Sequence, residues 1–105
     1  MFNFGSKLES ITTDEIVNYL NDGAILIDIR SSDAFKEGHI KGAINIPIKL
    51  LPFKMNELDK SKTILVVCYM GGSSVMACKY LQKAGFTVKN VHGGMQSWNG
   101  ALISA

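Results

Sequence analysis

The stretch Thr63-Ile-Leu-Val-Val-Cys68 constrains this chain more than any other, because Ile64 to Val67 form an aliphatic run with no polar alternation. A strand with one face in water alternates apolar and polar side chains. An unbroken run requires cover on both faces, as in a parallel sheet wrapped by helices. Cys68 falls at the carboxyl end of that strand. Tyr69, Met70, Gly71, Gly72, Ser73 and Ser74 then lead into a helical pattern in which Ser74, Ala77, Leu81 and Ala84 share one face and Lys79, Gln82 and Lys83 the other. Strand, tight loop and helix follow one another, with a thiol at the first loop position.

That placement has a chemical consequence. Gly71 and Gly72 permit left-handed or crowded dihedrals, so that successive N–H groups can converge on one point. Ser73 or Ser74 is the expected cap of the following helix, whose free N–H groups and positive dipole end face the loop. Such a cup favours an anion, and a thiol held over it should ionise more readily than free cysteine, whose pKa is about 8.5. The competing reading, a small buried hydrophobe that ends a strand, is the commoner fate of a lone cysteine. The Gly-Gly-Ser-Ser sequence that follows favours a reactive thiolate at Cys68.

Length and charge narrow the classes. The 105 residues fit one domain, residues 1–105, and a hydrophobic content of 47% is enough for one ordinary core. Eleven basic and nine acidic side chains leave a charge of +2 with no basic run, so neither nucleic acid nor an anionic membrane is an expected partner. The amino-terminal stretch Met-Phe-Asn-Phe-Gly-Ser-Lys has no long apolar segment behind a basic start, so no secretion signal or membrane span is expected and a cytoplasmic location is implied. Cys68 and Cys78 would be reduced there. Their spacing matches neither a Cys-x-x-Cys pair nor a zinc motif, and His39 and His92 lie far apart, so no metal is expected.

In chain order, Leu8 to Ile11 reads as an edge strand. Thr12-Thr13-Asp14-Glu15 matches a capping box. Ile16, Tyr19 and Leu20, with Val17 beside them, form the expected buried face of a helix that stops near Asn21-Asp22-Gly23. Ala24 to Ile29 is a second apolar strand, interrupted only by Asp28 near its carboxyl end, and this strand–helix–strand order argues for a parallel α/β sheet whose ligands bind beyond the strands' carboxyl ends. Asp28 and Arg30 occupy that edge. They read as structural supports of the loops there, Asp28 holding backbone groups and Arg30 pairing with Asp33 or Glu37.

Ser31 to Glu37 reads as a loop with a helical turn. Gly38 and Gly42 punctuate the way into a short strand, Ala43 to Ile46, which Pro47 ends. His39, between those glycines, reads as a hydrogen-bonded staple of the turn rather than as a base for Cys68. Ile48 to Lys60 is an expected loosely helical connection whose Leu50, Leu51, Phe53, Met55 and Leu58 cover the sheet. Thr87 to Val91 is the last strand, and His92-Gly93-Gly94 turns into a short helix carrying Met95 and Trp98, with Gly94 suited to a close approach to the Cys68 loop. Trp98 should pack its ring into the core with its N–H satisfied. Cys78 reads as packing.

Four pieces together resemble the single-domain rhodanese family over nearly the whole chain. They are Asp28-Ile29-Arg30 after a strand; Gly38-His39-Ile40 followed by Gly42-Ala43 and Asn45-Ile46-Pro47; the Cys68 loop; and Gly93-Gly94 followed by Trp98. The resemblance implies a five-stranded parallel sheet flanked by helices on both faces, and a sulfurtransferase without a cofactor. Cys68 matches the nucleophile that takes a sulfane sulfur as a persulfide from thiosulfate or another donor and passes it to cyanide, a thiol or an acceptor protein. Tyr69, Met70, Gly71, Gly72, Ser73 and Ser74 match the rest of the cradle. Many members carry arginine where Ser73 stands; Cys-Tyr-x-Gly-x-Ser-Ser resembles the loop of short bacterial thiosulfate sulfurtransferases. The change removes a bidentate arginine anchor and leaves backbone donors and hydroxyls. Ala34 also stands where some members place a charge near the pocket mouth. A phosphatase-like loop, Cys-x-x-x-x-x-Arg, is disfavoured because Ser74 occupies the arginine position. A persulfide carrier or protein-binding module on the same fold is the alternative.

Overall fold

The computed structural model describes residues 7–105. The start of the chain read above as free of a signal, residues 1–6, lies outside them. The apolar runs become strands β1 (Glu9–Ile11), β2 (Ile25–Asp28), β3 (Ile44–Asn45), β4 (Thr63–Val67) and β5 (Thr87–Val91), in one sheet of order β1-β5-β4-β2-β3. Every pairing is parallel. Between them run helices α1 (Ile16–Asn21), α2 (Ser32–Glu37), α3 (Leu51–Lys54) and α4 (Gly72–Lys83), with 3₁₀ turns at Thr13–Glu15, Ile48–Leu50, Met55–Glu57 and Gly94–Ser97.

The period of two along β4 divides the core. Ile64, Val66 and Cys68 point to one face, where they meet Ala77, Cys78 and Leu81 of α4 and Leu51 of α3. Leu65 and Val67 point to the other and join Ile11, Ile16, Val91 and Met95. Because both faces are covered, β4 is buried from Ile64 to Val67. The strand was therefore legible as a continuous run.

Short elements gave the sequence reading some of its errors. Val17 is 52% exposed, since a helical step of roughly 100° from the buried Ile16 carries it off the sheet. Phe53 is 78% exposed and Leu50 is also exposed; α3 has one turn, so Leu51 alone faces inward while Met55 and Leu58 pack at its margin. At the amino-terminal turn, Thr12 N–H donates to the Glu15 carboxylate at 2.8 Å, as a capping box requires. No helix among the described residues is long and apolar enough to cross a membrane.

Candidate active site

Parallel strands deliver their carboxyl ends to one edge, and the two central strands bring β4's exit to Cys68 beside β2's exit to Asp28, Ile29 and Arg30. Cys68 is 5% exposed yet lines a pocket of about 610 Å³ shared with Arg30, Ser31, Glu37, Tyr69 and Ser73, among others. A groove of about 680 Å³ between α4 and β5 is larger, but it is lined by lysines, Glu9 and Phe86, among others, and contains no cysteine.

The backbone of the Cys68 loop is held from behind. Met95 N–H donates to the Cys68 carbonyl at 2.8 Å and Gln96 N–H to the Tyr69 carbonyl at 2.9 Å. In a trans peptide the C=O and the following N–H point in opposite directions, so these bonds turn the N–H groups of Tyr69 and Met70 away from the Gly94–Ser97 turn. Gly71 N–H donates to Cys68 Sγ at 3.0 Å. Gly94 allows this approach: a Cβ there would lie 2.4 Å from the Cys68 carbonyl oxygen and 2.5 Å from that of Tyr69.

The cap of α4 differs from expectation. Gly71, with φ +109°, is the cap, and Ser73 and Ser74 lie inside the first turn. A left-handed residue at position 71 turns the chain into the helix two residues earlier than a serine cap would. Ser73 lines the pocket, whereas Ser74 is fully buried, its hydroxyl 3.1 Å from the Gly71 carbonyl and 2.5 Å from Asn90 Oδ1 on β5. The loop is thereby tied to β5 through side chains. Tyr69 lines the pocket, Met70 is exposed, and Gly72 opens α4.

Arg30 pairs with Asp28, not with Asp33 or Glu37. Its Nη2 lies 2.7 Å from Asp28 Oδ2 and its Nε 3.0 Å from Oδ1, and Nη2 also donates to the Gly38 carbonyl at 2.8 Å. Asp28 is 0% exposed, so it requires a counter-charge that the exposed Asp33 and Glu37 do not. Asn45 Nδ2 donates to the carbonyls of Asp28 and Arg30, fixing the same loop. His39 Nδ1 lies 2.7 Å from the Phe35 carbonyl and its ring stacks on Phe35 at 3.6 Å, so it joins α2 to the following turn and does not line the pocket. Cys78 is fully buried, and its thiol is pushed up to about 12 by burial, with Cys68 adding in the same direction. Trp98 donates its indole N–H to the Ala101 carbonyl at 3.1 Å and packs its ring at the edge of the core.

Several residues at or behind the site escaped the sequence reading, Ser31 and Ile48 among them. Asn90 was detectable only as the one amide in β5, where it stands between Lys89 and Val91. Glu37 and Leu102 line the pocket from α2 and from the segment after Trp98, and nothing in their local pattern marks them.

A family model described as a rhodanese-like domain matches residues 12–101. YtwF of Bacillus subtilis (strain 168) is 43% identical over 75 residues, covering 71% of this chain and 73% of that protein. Thiosulfate sulfurtransferase GlpE of Shewanella oneidensis is 32% identical over 98 residues, covering 91% and 97% respectively. The crystal structure of a rhodanese-like domain protein from Staphylococcus aureus superposes with a TM-score of 0.84 at 32% identity, covering 93% of this chain and all of that one.

Proposed function

Because the chain belongs to the rhodanese-like domain family, we propose that it is a sulfurtransferase in which Cys68 carries the transferred sulfur as a persulfide. The thiolate attacks the sulfane sulfur of a donor, which is thiosulfate or another persulfide donor. A sulfur–sulfur bond forms to Cys68 as the donor's own bond breaks, and the electron pair leaves with sulfite or its equivalent. An acceptor nucleophile, such as cyanide, a thiol or a protein thiol, then removes the outer sulfur and regenerates the thiolate.

The observation that carries this reading is the Gly71 N–H bond to Cys68 Sγ in a loop whose Cys68 and Tyr69 carbonyls are tied off behind it. Donors fixed in place before reaction stabilise negative charge on sulfur without reorganising. Tyr69, Met70, Gly71, Gly72, Ser73 and Ser74 form the cradle, through backbone groups and through the Ser73 hydroxyl. Asp28, Arg30 and His39 keep the surrounding loops in register. No cofactor enters this reaction.

Incubation with thiosulfate and cyanide should yield thiocyanate. Cys68→Ser should abolish it and Cys78→Ser should retain most of it. Unchanged turnover in Cys68→Ser would remove the proposal, and sulfur loading without turnover would replace it with the carrier reading.

A further inference from the structure

Taking Cys68 as the sulfur-accepting nucleophile of the preceding section, we propose that its pocket prefers sulfur donors with an apolar arm and low charge to compact dianions such as thiosulfate. Leu102 and Glu37 set that preference.

The charges in the pocket do not suit a dianion. Arg30 is the one basic residue that lines it, and its guanidinium is held by the buried Asp28 carboxylate and the Gly38 carbonyl. Serine occupies position 73, so no arginine fork is available from the loop. Glu37 is the one acidic residue lining the pocket, and among the described residues it has no ion-pair partner. A doubly charged donor therefore gives up hydration, gains no free cation and meets a like charge.

Apart from the Ser31 and Ser73 hydroxyls, the side chains of the remaining wall are largely apolar. Ile29, Ala34, Ile48 and Leu102 face the space around Cys68, with Tyr69 at its edge. At about 610 Å³ the pocket is in the size range of organic ligands, far larger than a five-atom anion needs. Leu102 is 53% exposed, so its burial does little for folding, yet it is fixed in place. His39 and Ile103 exchange two backbone bonds of 2.9 Å, and Ala105 N–H donates to the Lys36 carbonyl at 3.0 Å. A Cβ built on Gly38 would come within 3.1 Å of Leu102 Cδ1, so the strap lies tightly against the pocket rim. Residues 102–105 also fall beyond the 12–101 matched by the family model.

Thiosulfate and benzenethiosulfonate separate the alternatives, because both offer the same sulfane sulfur. With benzenethiosulfonate the thiolate and the monoanion give the Cys68 persulfide anion and benzenesulfinate, so atoms and charge balance. With thiosulfate the products are the same persulfide and sulfite. The readout is the ratio of kcat/KM for the two donors with cyanide as acceptor, normalised to the same ratio for a free thiol.

The normalised ratio should favour benzenethiosulfonate by about tenfold, the scale of a modest apolar contact. Leu102→Ala should lower it about fivefold by removing half-buried contact surface. Glu37→Gln should lower it about threefold at low salt, and less at high salt, because a dianion gains more than a monoanion from losing a like charge. Leu102→Arg should lower it further by supplying the missing cation. A normalised ratio near one that none of these variants moves would overturn the pocket inference while leaving the sulfurtransferase reading intact. Failure of both donors to load Cys68 would overturn the two together.

Discussion

Replacing Gly94 by alanine tests how the Cys68 loop is held. Gly94 has φ +63°, a conformation that costs a residue with a Cβ about 1–2 kcal/mol. The new Cβ would also fall 2.4 Å from the Cys68 carbonyl oxygen, 2.5 Å from the Tyr69 carbonyl oxygen and 2.7 Å from the Tyr69 carbonyl carbon. All three are backbone atoms, so no rotamer change relieves the contact. Either the Gly94–Ser97 turn or the loop must withdraw, which breaks the bonds from Met95 and Gln96, each contributing about 1 kcal/mol. The expected loss is about 3–4 kcal/mol, which lowers the melting temperature by roughly 15 °C in a chain of this size. Sulfur loading should fall as well, because the carbonyls that orient the cup are released. Gly72→Ala is the control: a Cβ there meets nothing within 4 Å at an ordinary φ, so it should be neutral or stabilise by about 0.5 kcal/mol. Thermal melts and loading rates of the two variants decide the matter. A Gly94→Ala protein that melts within a degree of wild type and loads sulfur at the wild-type rate would refute the tethering argument.

Cys78, with its thiol pushed up to about 12, should keep its proton in the folded protein while the unfolded chain loses it above the ordinary value of 9.0. The folded state binds more protons there, so this contribution to stability is present below pH 9.0 and is lost progressively as pH rises toward 12. Urea midpoints of wild type should fall more steeply over that range than those of Cys78→Ala. Arg30→Ala leaves the buried Asp28 carboxylate unpaired and should cost about 3–5 kcal/mol in chemical denaturation. Ser74→Ala removes the hydroxyl between Asn90 and the Gly71 carbonyl; it should cost about 1–2 kcal/mol and slow turnover, and unchanged kcat would detach that contact from the site.

The sequence disclosed what depends on local pattern. A short, β-branched aliphatic run closed by a glycine-rich loop fits a strand covered on both faces, so β4 and the parallel sheet were readable from Ile64 to Val67, and the thiol's place at the sheet's carboxyl edge followed. Side chains whose surroundings come from distant segments were less readable. The partner of Arg30 was taken from nearby acids on α2, yet a fully buried carboxylate two residues upstream has the stronger claim on a guanidinium. The α4 cap was assigned by residue preference, and Gly71 displaced the serines because its left-handed conformation turns the chain earlier. Phe53 was placed inward by its hydrophobicity, which a single-turn helix cannot honour on every side. Leu102 reaches the pocket through a backbone bridge to His39, a pairing with no periodic signature.

Mass spectrometry of the intact protein after exposure to a sulfane-sulfur donor, followed by cyanide, tests the central claim most directly. The account predicts a gain of one sulfur atom, mapped by proteolysis to Cys68, absent in Cys68→Ser, retained in Cys78→Ser, and released by cyanide in equal amount as thiocyanate. Sulfur found on Cys78, or no gain with any donor while Cys68 remains alkylatable, would contradict it.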